Sequence, residues 1–431
     1  MGVSFGVAVG IGSMVGSGIL RTPGEVAAQM HRSWLVLAVW AAGGVYAFFS
    51  TLSVTELGTM LPQEGGWYVY SRHAFGEYVG FVVGCCDWMM QAVPIAYLAV
   101  AFGEFAAGLE PGLGPHVKLV AVASVVILTL LNWLGLRAGS RAQELTSLVK
   151  ALAMIAFVAA CFAVSPRSGV TDSSAISFPV STGSILLGLL VASQAVIVTY
   201  DGWYSAIYFM EEDQDPARNL PRSAIGGVSA CIAIFLLVNL ALLHVLPMAQ
   251  LAASHAPAAD AAMAVFGTGG KQIILVISLV TVVSTINACL LVSSRILFAL
   301  SRDGLLPRWM ASVNSGGTPS GALLVGALIS VALVLSGSFE ALIAIASVLY
   351  VAVYMSGFVA LFVLRARQPE LRRPFKVWGY PWTTFGVLLA SAGFLIASVI
   401  GDLKHSLFTL GLITISYPVY FFAVKKRASR P

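Results

Sequence analysis

Residues 10–23, with the sequence GIGSMVGSGILRTP, decide the fold because they interrupt an apolar run that is long enough to span a membrane. Gly16, Ser17 and Gly18 stand in the middle of the run, and Pro23 follows them. Glycine tolerates backbone dihedral angles that other residues avoid, so the cluster predicts a point at which the chain leaves the helix. Inside a membrane, the amides freed there must line a cavity or face a ligand.

A second interruption lies in the sixth apolar run, where residues 199–203 have the sequence TYDGW. The two interrupted runs are the first and the sixth, so each one opens a block of five. Interrupted helices at corresponding positions of two halves are typical of transporters built on an inverted repeat. Because five is an odd number, the second block must enter the membrane from the opposite side, which predicts the inversion.

The composition requires a membrane around these runs. Of the 431 residues, 58% are hydrophobic and 10% are charged, and the mean hydropathy is +0.89. Soluble globular proteins carry about 25% charged residues, so a soluble enzyme and a disordered or fibrous chain are excluded. The apolar runs are continuous, whereas a β-barrel would show alternating strands of about 10 residues. At roughly 20 residues per span, the chain has room for about twelve spanning helices.

We therefore expect one all-α integral membrane domain over residues 1–431. It comprises a first five-helix repeat (1–165), a second, inverted repeat (183–364) and two further helices (383–424). The predicted spans are 2–30, 34–60, 77–108, 117–135, 141–164, 183–213, 222–246, 270–300, 319–336, 340–364, 383–401 and 406–424.

The distribution of basic residues sets the expected orientation. With both termini in the cytoplasm, 17 of the 24 lysines and arginines fall on the cytoplasmic side and 6 outside, as the positive-inside rule requires. This predicts a multi-pass protein of the cell membrane. The basic residues are scattered over short loops, which argues against a nucleic-acid partner.

Several other features are not expected. The five cysteines all lie within apolar runs, so no extracellular disulfide framework is predicted. The first 20 residues lack a basic flank and a small-residue cleavage site, which argues against a cleavable signal peptide; a helix that starts at residue 2 leaves open whether a tail precedes it. The chain has no metal-ligand cluster, phosphate-binding loop or nucleophile pattern, so we expect no metal, cofactor or enzymatic activity.

The two interruptions carry complementary hydrogen-bonding groups. The half-helix after the first presents free N–H groups and a positive dipole end, which suit a carboxylate. The second leaves carbonyls of Val198, Thr199 and Asp201 free to accept from an ammonium group, so together they predict binding of an α-amino acid. Two alternatives stay open. The small-residue spacing that runs into Gly16 also suits close helix packing, and Asp201 is also a good N-cap for a half-helix beginning near Gly202.

Lys150 is a further candidate because it lies about 14 Å into the fifth span, near the middle of a hydrocarbon core of about 30 Å. Its ammonium group needs acceptors, and freed carbonyls of the first helix or the hydroxyls of Ser284 and Thr285 can supply them. Such a fixed charge can replace the sodium ion that other transporters bind between broken helices. The alternative is a lysine that faces a water-filled vestibule.

Other charges within or beside the spans have simpler interpretations. Glu56 and Asp87 are expected near cytoplasmic ends, where they fix loop geometry, and Glu104 is expected towards the outside. The acidic run from Glu211 to Asp215 is interpreted as a solvated helix cap.

A series of short motifs runs along nearly the whole chain. They are GSGI at 16–19 with Pro23, ELG at 56–58 with Pro62, Gly65, Gly66 and Tyr68, AFG at 74–76, YDGW at 200–203, Glu211-Glu212 through Pro216 with RNLPR at 218–222, and RDG at 302–304 with Leu306-Pro307. In this order they resemble the amino acid–polyamine–organocation (APC) transporters, especially the L-type amino acid transporter branch.

The resemblance implies a LeuT-type fold with 12 transmembrane helices, a 5+5 inverted repeat and discontinuous helices 1 and 6. It also implies that the Gly-Ser-Gly backbone holds the substrate carboxylate, that carbonyls at the two breaks hold the ammonium group, and that a helix-five lysine stands in for sodium. These roles carry over to Ser17 and Gly18 for the carboxylate, to Met14, Val198 and Asp201 for the ammonium group, and to Lys150 for sodium. With the residues around the two breaks and around Lys150, the expected substrate-binding residues are Met14, Val15, Gly16, Ser17, Gly18, Ile19, Val198, Thr199, Asp201 and Gly202, and the expected sodium-site surrogates are Lys150, Ser284 and Thr285.

The sequence departs from this branch in three ways. Many members have a bulky aromatic gate at the position of Val198. An acidic residue at the position of Asp201 resembles the member that handles cystine and dibasic amino acids, which favours cationic substrates. Eukaryotic members bond a glycoprotein partner through a cysteine between helices three and four, but residues 109–117 contain no cysteine, so we expect no disulfide-linked heavy chain.

The expected function is sodium-independent exchange of L-amino acids by alternating access. The alternative is a proton-coupled amino acid or polyamine symporter, in which Lys150, Asp201 or Glu104 would carry the proton. The N–H groups of the first break and the carbonyl groups of the second together form a clamp for an amino acid. A non-transporting amino acid sensor is disfavoured because this clamp is intact and the chain has no sizeable soluble domain. A membrane enzyme is disfavoured because no catalytic constellation is present.

Overall fold

The computed structural model of the protein describes residues 2–164, 182–336 and 339–401, together with six positions between 411 and 421. Within these ranges the chain forms fifteen α-helices joined by short loops and 3-10 turns. The helices are α1 (Val3–Met14), α2 (Gly18–Met30), α3 (Ser33–Met60), α4 (Trp67–Phe75), α5 (Glu77–Leu109), α6 (Val117–Trp133), α7 (Leu136–Ala163), α8 (Thr182–Thr199), α9 (Pro216–Val245), α10 (Met248–Ala253), α11 (Pro257–Phe266), α12 (Gly270–Arg302), α13 (Ser320–Ser336), α14 (Phe339–Arg367) and α15 (Trp382–Gly401). The 3-10 helices are Pro111–His116, Ser205–Glu212, Gly267–Gly269 and Arg308–Ala311.

Many of these helices are built to lie in lipid. Among the described residues, seven helical segments are long and apolar enough to cross a membrane, and α1 with α2 makes an eighth that is bent by 47°. The outer faces of α6 and α7 expose large apolar side chains such as Ile127, Leu130 and Leu152, an arrangement that is stable only against lipid. The chain is therefore a multi-pass membrane protein.

The predicted spans and the observed helices agree closely at most boundaries. The helix of the fifth predicted span, α7, begins at Leu136, five residues earlier than predicted. The short helices α4, α10 and α11 were missed because segments of this length carry no spanning signal. The total of twelve spans, the inverted repeat and the division into two five-helix units remain predictions. The predicted twelfth span, 406–424, lies largely outside the described residues.

Close packing explains the regular glycines of α1, which contacts α7, α9 and α12. A Cβ atom placed on Gly6 would lie 2.6 Å from the Ser223 side chain of α9, and one on Gly12 would lie 1.7 Å from Gln143 of α7. Only glycine allows neighbouring helices to come this near. The small-residue spacing therefore serves helix packing in α1, before the first break.

A buried ion pair fastens the segment between α14 and α15 to α3. Glu56, which is fully buried, accepts hydrogen bonds from Arg365 Nε at 2.7 Å and from the backbone N–H of Val377 at 2.7 Å. Arg373 Nε lies 3.6 Å from the same carboxylate, and the Arg365 guanidinium group lies 3.6 Å from the ring centre of Tyr380. The expectation that Glu56 fixes loop geometry is confirmed by these contacts.

Replacing Glu56 with alanine is expected to destabilise the protein strongly. Removing one partner of a buried ion pair leaves an uncompensated charge and typically costs about 3–5 kcal/mol. The measurement is the thermal unfolding temperature in detergent, where Glu56→Ala should unfold well below the wild type. Glu370→Ala is the matched control, because Glu370 is an exposed carboxylate in the same segment. Equal unfolding temperatures for both variants and the wild type would show that the ion pair contributes nothing.

Candidate functional site

The first helix breaks where the sequence predicts it. α1 ends at Met14 and α2 begins at Gly18, and between them the Gly16 N–H turns back to donate to the Met14 carbonyl oxygen at 2.8 Å. The first amides of any helix have no acceptor within it. The start of α2, at Ser17 and Gly18, therefore presents backbone donors and the positive end of a helix dipole.

The glycines of this break act through space and not through unusual dihedral angles, so that part of the expectation is wrong. Neither Gly16 nor Gly18 has a positive φ angle. A Cβ atom on Gly18 would lie 3.1 Å from the Thr199 side chain, whereas one on Gly16 would have no atom within 4 Å. Gly18 thus lets the end of α8 come near, and Gly16 leaves room beside the break.

The second break contains the glycine that does need its conformational freedom. α8 ends at Thr199, the next helical turn begins at Ser205, and Gly202 between them has a φ angle of 101°. A Cβ atom on Gly202 would lie 2.6 Å from the Ser13 Cβ atom and 2.9 Å from the Ser13 carbonyl carbon. Gly202 of the second break therefore packs closely against the end of α1, beside the first break.

The carbonyl groups at the second break are only partly free, which corrects the sequence-based expectation. The Val198 carbonyl oxygen already accepts the Asp201 N–H at 3.2 Å, because the chain makes one tight turn after α8. A carbonyl oxygen has a second lone pair, so it can still accept another donor. The Thr199 hydroxyl donates to the Ala195 carbonyl oxygen at 2.7 Å and lies 3.0 Å from the Thr22 hydroxyl of α2.

The Asp201 side chain links the second break to α14. Its carboxylate accepts a hydrogen bond from the Tyr354 hydroxyl and also interacts with the Gly202 N–H and the Tyr204 hydroxyl. The 3-10 helix that follows begins at Ser205 and has Tyr204 at its N-cap position. Asp201 is therefore not the cap of that helix, and the capping alternative is wrong.

Lys150 reaches the first break from α7. Its fully buried Nζ donates to the carbonyl oxygens of Gly12 at 2.7 Å and Val15 at 2.8 Å. The Thr285 hydroxyl of α12 donates to the same Gly12 oxygen at 3.2 Å, whereas Ser284 lies 3.4 Å from polar side chains of α7. The alternative of a lysine in a wet vestibule is wrong for this conformation.

The ten substrate-binding candidates divide into two groups by exposure. Partly exposed are Gly16, Ser17, Gly18, Val198 and Asp201, and buried are Met14, Val15, Ile19, Thr199 and Gly202. The partly exposed residues lie on both breaks, so both breaks can contribute contacts to a ligand bound between them. The buried group has little more than backbone atoms to offer a ligand.

Sequence reasoning missed a charge network at the α4 end of the bundle. Arg295 of α12, 1% exposed, donates to both Glu212 carboxylate oxygens at 2.7 and 2.9 Å, and its Nε lies 4.0 Å from Glu64. The interpretation of the acidic run as a solvated cap is thus wrong for Glu212. Burial raises the pKa of the Glu64 carboxyl, although Arg295 opposes this. An arginine within an apolar run of α12 was the available signal.

Two more ion pairs complete the network. Arg302 at the end of α12 pairs with Glu211 at 2.7 Å. Asp303 accepts hydrogen bonds from Arg72 and, at 2.6 Å, from the Tyr68 hydroxyl, both on α4. The network therefore joins α4, α12 and the 3-10 helix that follows the second break.

Comparison with known proteins identifies the family of this helical membrane protein. The model of the Amino acid permease family matches residues 6–421. The serine/threonine exchanger SteT of Bacillus subtilis is 27% identical over 438 residues, covering all of this chain and 98% of SteT. The mouse b(0,+)-type amino acid transporter 1 is 28% identical over 447 residues (100% and 90% covered), and the mouse Asc-type amino acid transporter 1 is 29% identical over 385 residues (85% and 70%).

These findings define a membrane transporter of the APC superfamily, in its L-type branch. The chain belongs to the amino acid permease family. Its relatives are amino acid transporters and exchangers, not enzymes.

Replacing Gly202 with alanine is expected to disrupt the site. The added methyl group meets Ser13, and a φ angle of 101° is strained for any residue with a Cβ atom. Gly202→Ala should therefore lower the thermal unfolding temperature and abolish amino acid uptake into liposomes. Gly386→Ala is the control, because its Cβ atom would have no neighbour within 4 Å. Wild-type uptake by Gly202→Ala would contradict the tight contact between the breaks.

Proposed function

We propose that this protein is a sodium-independent L-amino acid transporter that works as an exchanger by alternating access. The observation that carries the proposal is the pair of helix breaks that lie side by side, the first of them held by Lys150. The relatives named as an exchanger and as amino acid transporters support the substrate class. Serine and threonine are the first substrates to test, because the SteT relative is named for them.

The substrate zwitterion lies between the breaks in this proposal. Its carboxylate accepts from the amides at the start of α2, from Ser17 to Ile19, where the helix dipole favours an anion. Its ammonium group donates to the carbonyl oxygens of Met14 and Val198, each of which already accepts one N–H and has a lone pair left. The carbonyl oxygens of Thr199 and Asp201 complete the set of acceptors.

Lys150 replaces sodium in this cycle. The carbonyl oxygens of Gly12 and Val15 and the Thr285 hydroxyl are oxygen ligands of the kind that hold a hard cation. The lysine ammonium group occupies the position between the two carbonyls with donors at 2.7 and 2.8 Å. A cation that is part of the chain needs no ion from solution, so transport does not depend on sodium.

The α4-end network is proposed as the closed gate of the described conformation. Arg295–Glu212, Arg302–Glu211 and Arg72–Asp303 join elements that must separate to admit water from that end. The excess of basic residues assigns this end and both termini to the cytoplasm. Alternating access then requires the ion pairs to break as the site opens inward. We also propose that no heavy chain is disulfide-linked between α5 and α6, because residues 109–117 have no cysteine.

Exchange without sodium is the first expected result. Proteoliposomes loaded with unlabelled serine and threonine should take up labelled serine in sodium-free buffer much faster than empty ones, and replacing choline by sodium should change nothing. Lys150→Ala should lower the rate by about tenfold or more, because the buried Val15 carbonyl oxygen loses its donor, which costs about 1–3 kcal/mol. Lys271→Ala, at an exposed lysine, is the control. Equal uptake into empty liposomes would contradict exchange, and steep sodium dependence would contradict the role of Lys150.

The carboxylate seat predicts which compounds compete. Ethanolamine, the decarboxylated form of serine, should compete poorly with labelled serine because it offers nothing to the α2 amides. Gly16→Ala should keep the wild-type unfolding temperature but weaken serine uptake, since its methyl group enters the open space beside the break. Gly226→Ala, whose nearest contact would be 3.8 Å away, is the control. Equal competition by ethanolamine and serine would overturn the proposed clamp.

A further inference from the structure

Asp87 is a buried carboxylate that neither the proposed clamp nor the proposed gate uses. It is the eleventh residue of α5 and is fully buried, so the expectation that it only fixes loop geometry is not supported. One carboxylate oxygen accepts a hydrogen bond from the Tyr208 hydroxyl at 2.6 Å. The other oxygen, Oδ2, has no hydrogen-bond partner among the described residues.

The groups around Asp87 do not compensate a negative charge. Those that interact with it electrostatically are tyrosines of α4 and of the segment after the second break, a neighbouring cysteine and a second carboxylate. They are Tyr70, Tyr204, Tyr208, Cys86 and Asp201.

The other helices packed against α5 bring no free cation to Asp87. α12 contributes Arg295, but that arginine pairs with Glu212. α4 carries Arg72, which pairs with Asp303, and His73, whose Nδ1 lies 2.8 Å from the Val69 carbonyl oxygen. α14 contributes Tyr350 and Tyr354, and its Arg365 pairs with Glu56. α13 has no titratable residue. α6 and the 3-10 turn before it carry Lys118 and His116 beside the far end of α5. Among the described residues, no ion pair is formed by Asp87.

An ionised carboxylate in this position would leave one oxygen without any donor inside the membrane, a situation that costs several kcal/mol. We propose that Asp87 is a proton-binding site. It is protonated in the described conformation and releases its proton when the α4 end opens to water. This inference rests on the proposed transport function and adds a proton to its cycle.

The position of Tyr208 explains why protonation would follow the transport cycle. Tyr208 lies on the 3-10 helix that leads from the second break to the gate residues Glu211 and Glu212. Movement of this helix during opening must change the hydrogen bond from Tyr208 to Asp87. The carboxyl group would then meet water, which stabilises its charged form, and lose the proton to that side.

The buried hydroxyl of Tyr70 on α4 also has no partner among the described residues, and it is near enough to Asp87 to interact with its charge.

The only bond that forms or breaks in this step is the O–H bond of the Asp87 carboxyl group. In the proposed exchange, Asp87 takes its proton from the outside as external amino acid binds, releases it inside, and returns deprotonated with the internal amino acid. Each exchange therefore moves one proton inward when the outside is more acidic than the inside.

The test uses the full protein in liposomes loaded with unlabelled serine and with a pH-sensitive dye, in sodium-free buffer. With the outside two pH units more acidic, labelled serine uptake by the wild type should rise several-fold, up to about tenfold per pH unit. External serine should also acidify the interior. Asp87→Asn, a neutral mimic, should still exchange serine at equal pH but lose both responses. Glu104→Gln, at an exposed carboxylate of the same helix, should keep both.

The outcomes are distinct. Wild-type exchange without stimulation or internal acidification would overturn the inference, and this result needs no variant to fold. Wild-type responses that persist in Asp87→Asn would overturn the assignment to Asp87. Absence of exchange at equal pH in the wild type would instead overturn the proposed function on which the inference rests.

Discussion

The ammonium group of Lys150 satisfies a requirement that the rest of the structure depends on. A helix can break inside a membrane only if the backbone groups that it frees find partners, because lipid offers none. At the first break, Lys150 donates to the carbonyl oxygens of both Gly12 and Val15, and the Thr285 hydroxyl adds a second donor to Gly12. Without that ammonium group, the Val15 carbonyl oxygen would lose its donor and the break would become less stable. The break in turn exposes the amides at the start of α2, to which the proposed substrate carboxylate binds.

The spans and both breaks were predictable because they rest on strong local signals. Continuous apolar runs define the spans, and a cluster such as GSG or an aspartate within such a run marks an interruption at once. Lys150 was predictable for a similar reason, since a charge at mid-membrane depth must find acceptors. Glu56 was recognised as a residue that shapes a loop, although its actual partners lie more than three hundred positions further along the chain.

The parts that sequence reasoning missed depend on distant contacts. Nothing near Glu212 in the sequence indicates Arg295, which comes from another helix, so an ion pair between them was mistaken for solvated charge. The role expected of the 16–18 glycines was also wrong: Gly16 and Gly18 provide space, whereas the unusual dihedral angle is found at Gly202. A single sequence reports that a glycine is present but not whether its backbone or its missing side chain is needed. The same limit applies to Asp87, whose unpartnered oxygen is visible only when its neighbours are in place.

The contact between Gly202 and Ser13 has a mechanical consequence. Two helices that touch at their bends cannot tilt independently. Here each broken helix bends close to the contact between Gly202 and Ser13. In the proposed alternating-access cycle, tilting one helix would therefore move the other, and a state with both faces open would require the contact between Gly202 and Ser13 to separate. Because Gly202 has no Cβ atom, the two helices can touch at this point. In the proposed cycle, this contact helps to prevent a leak through the membrane.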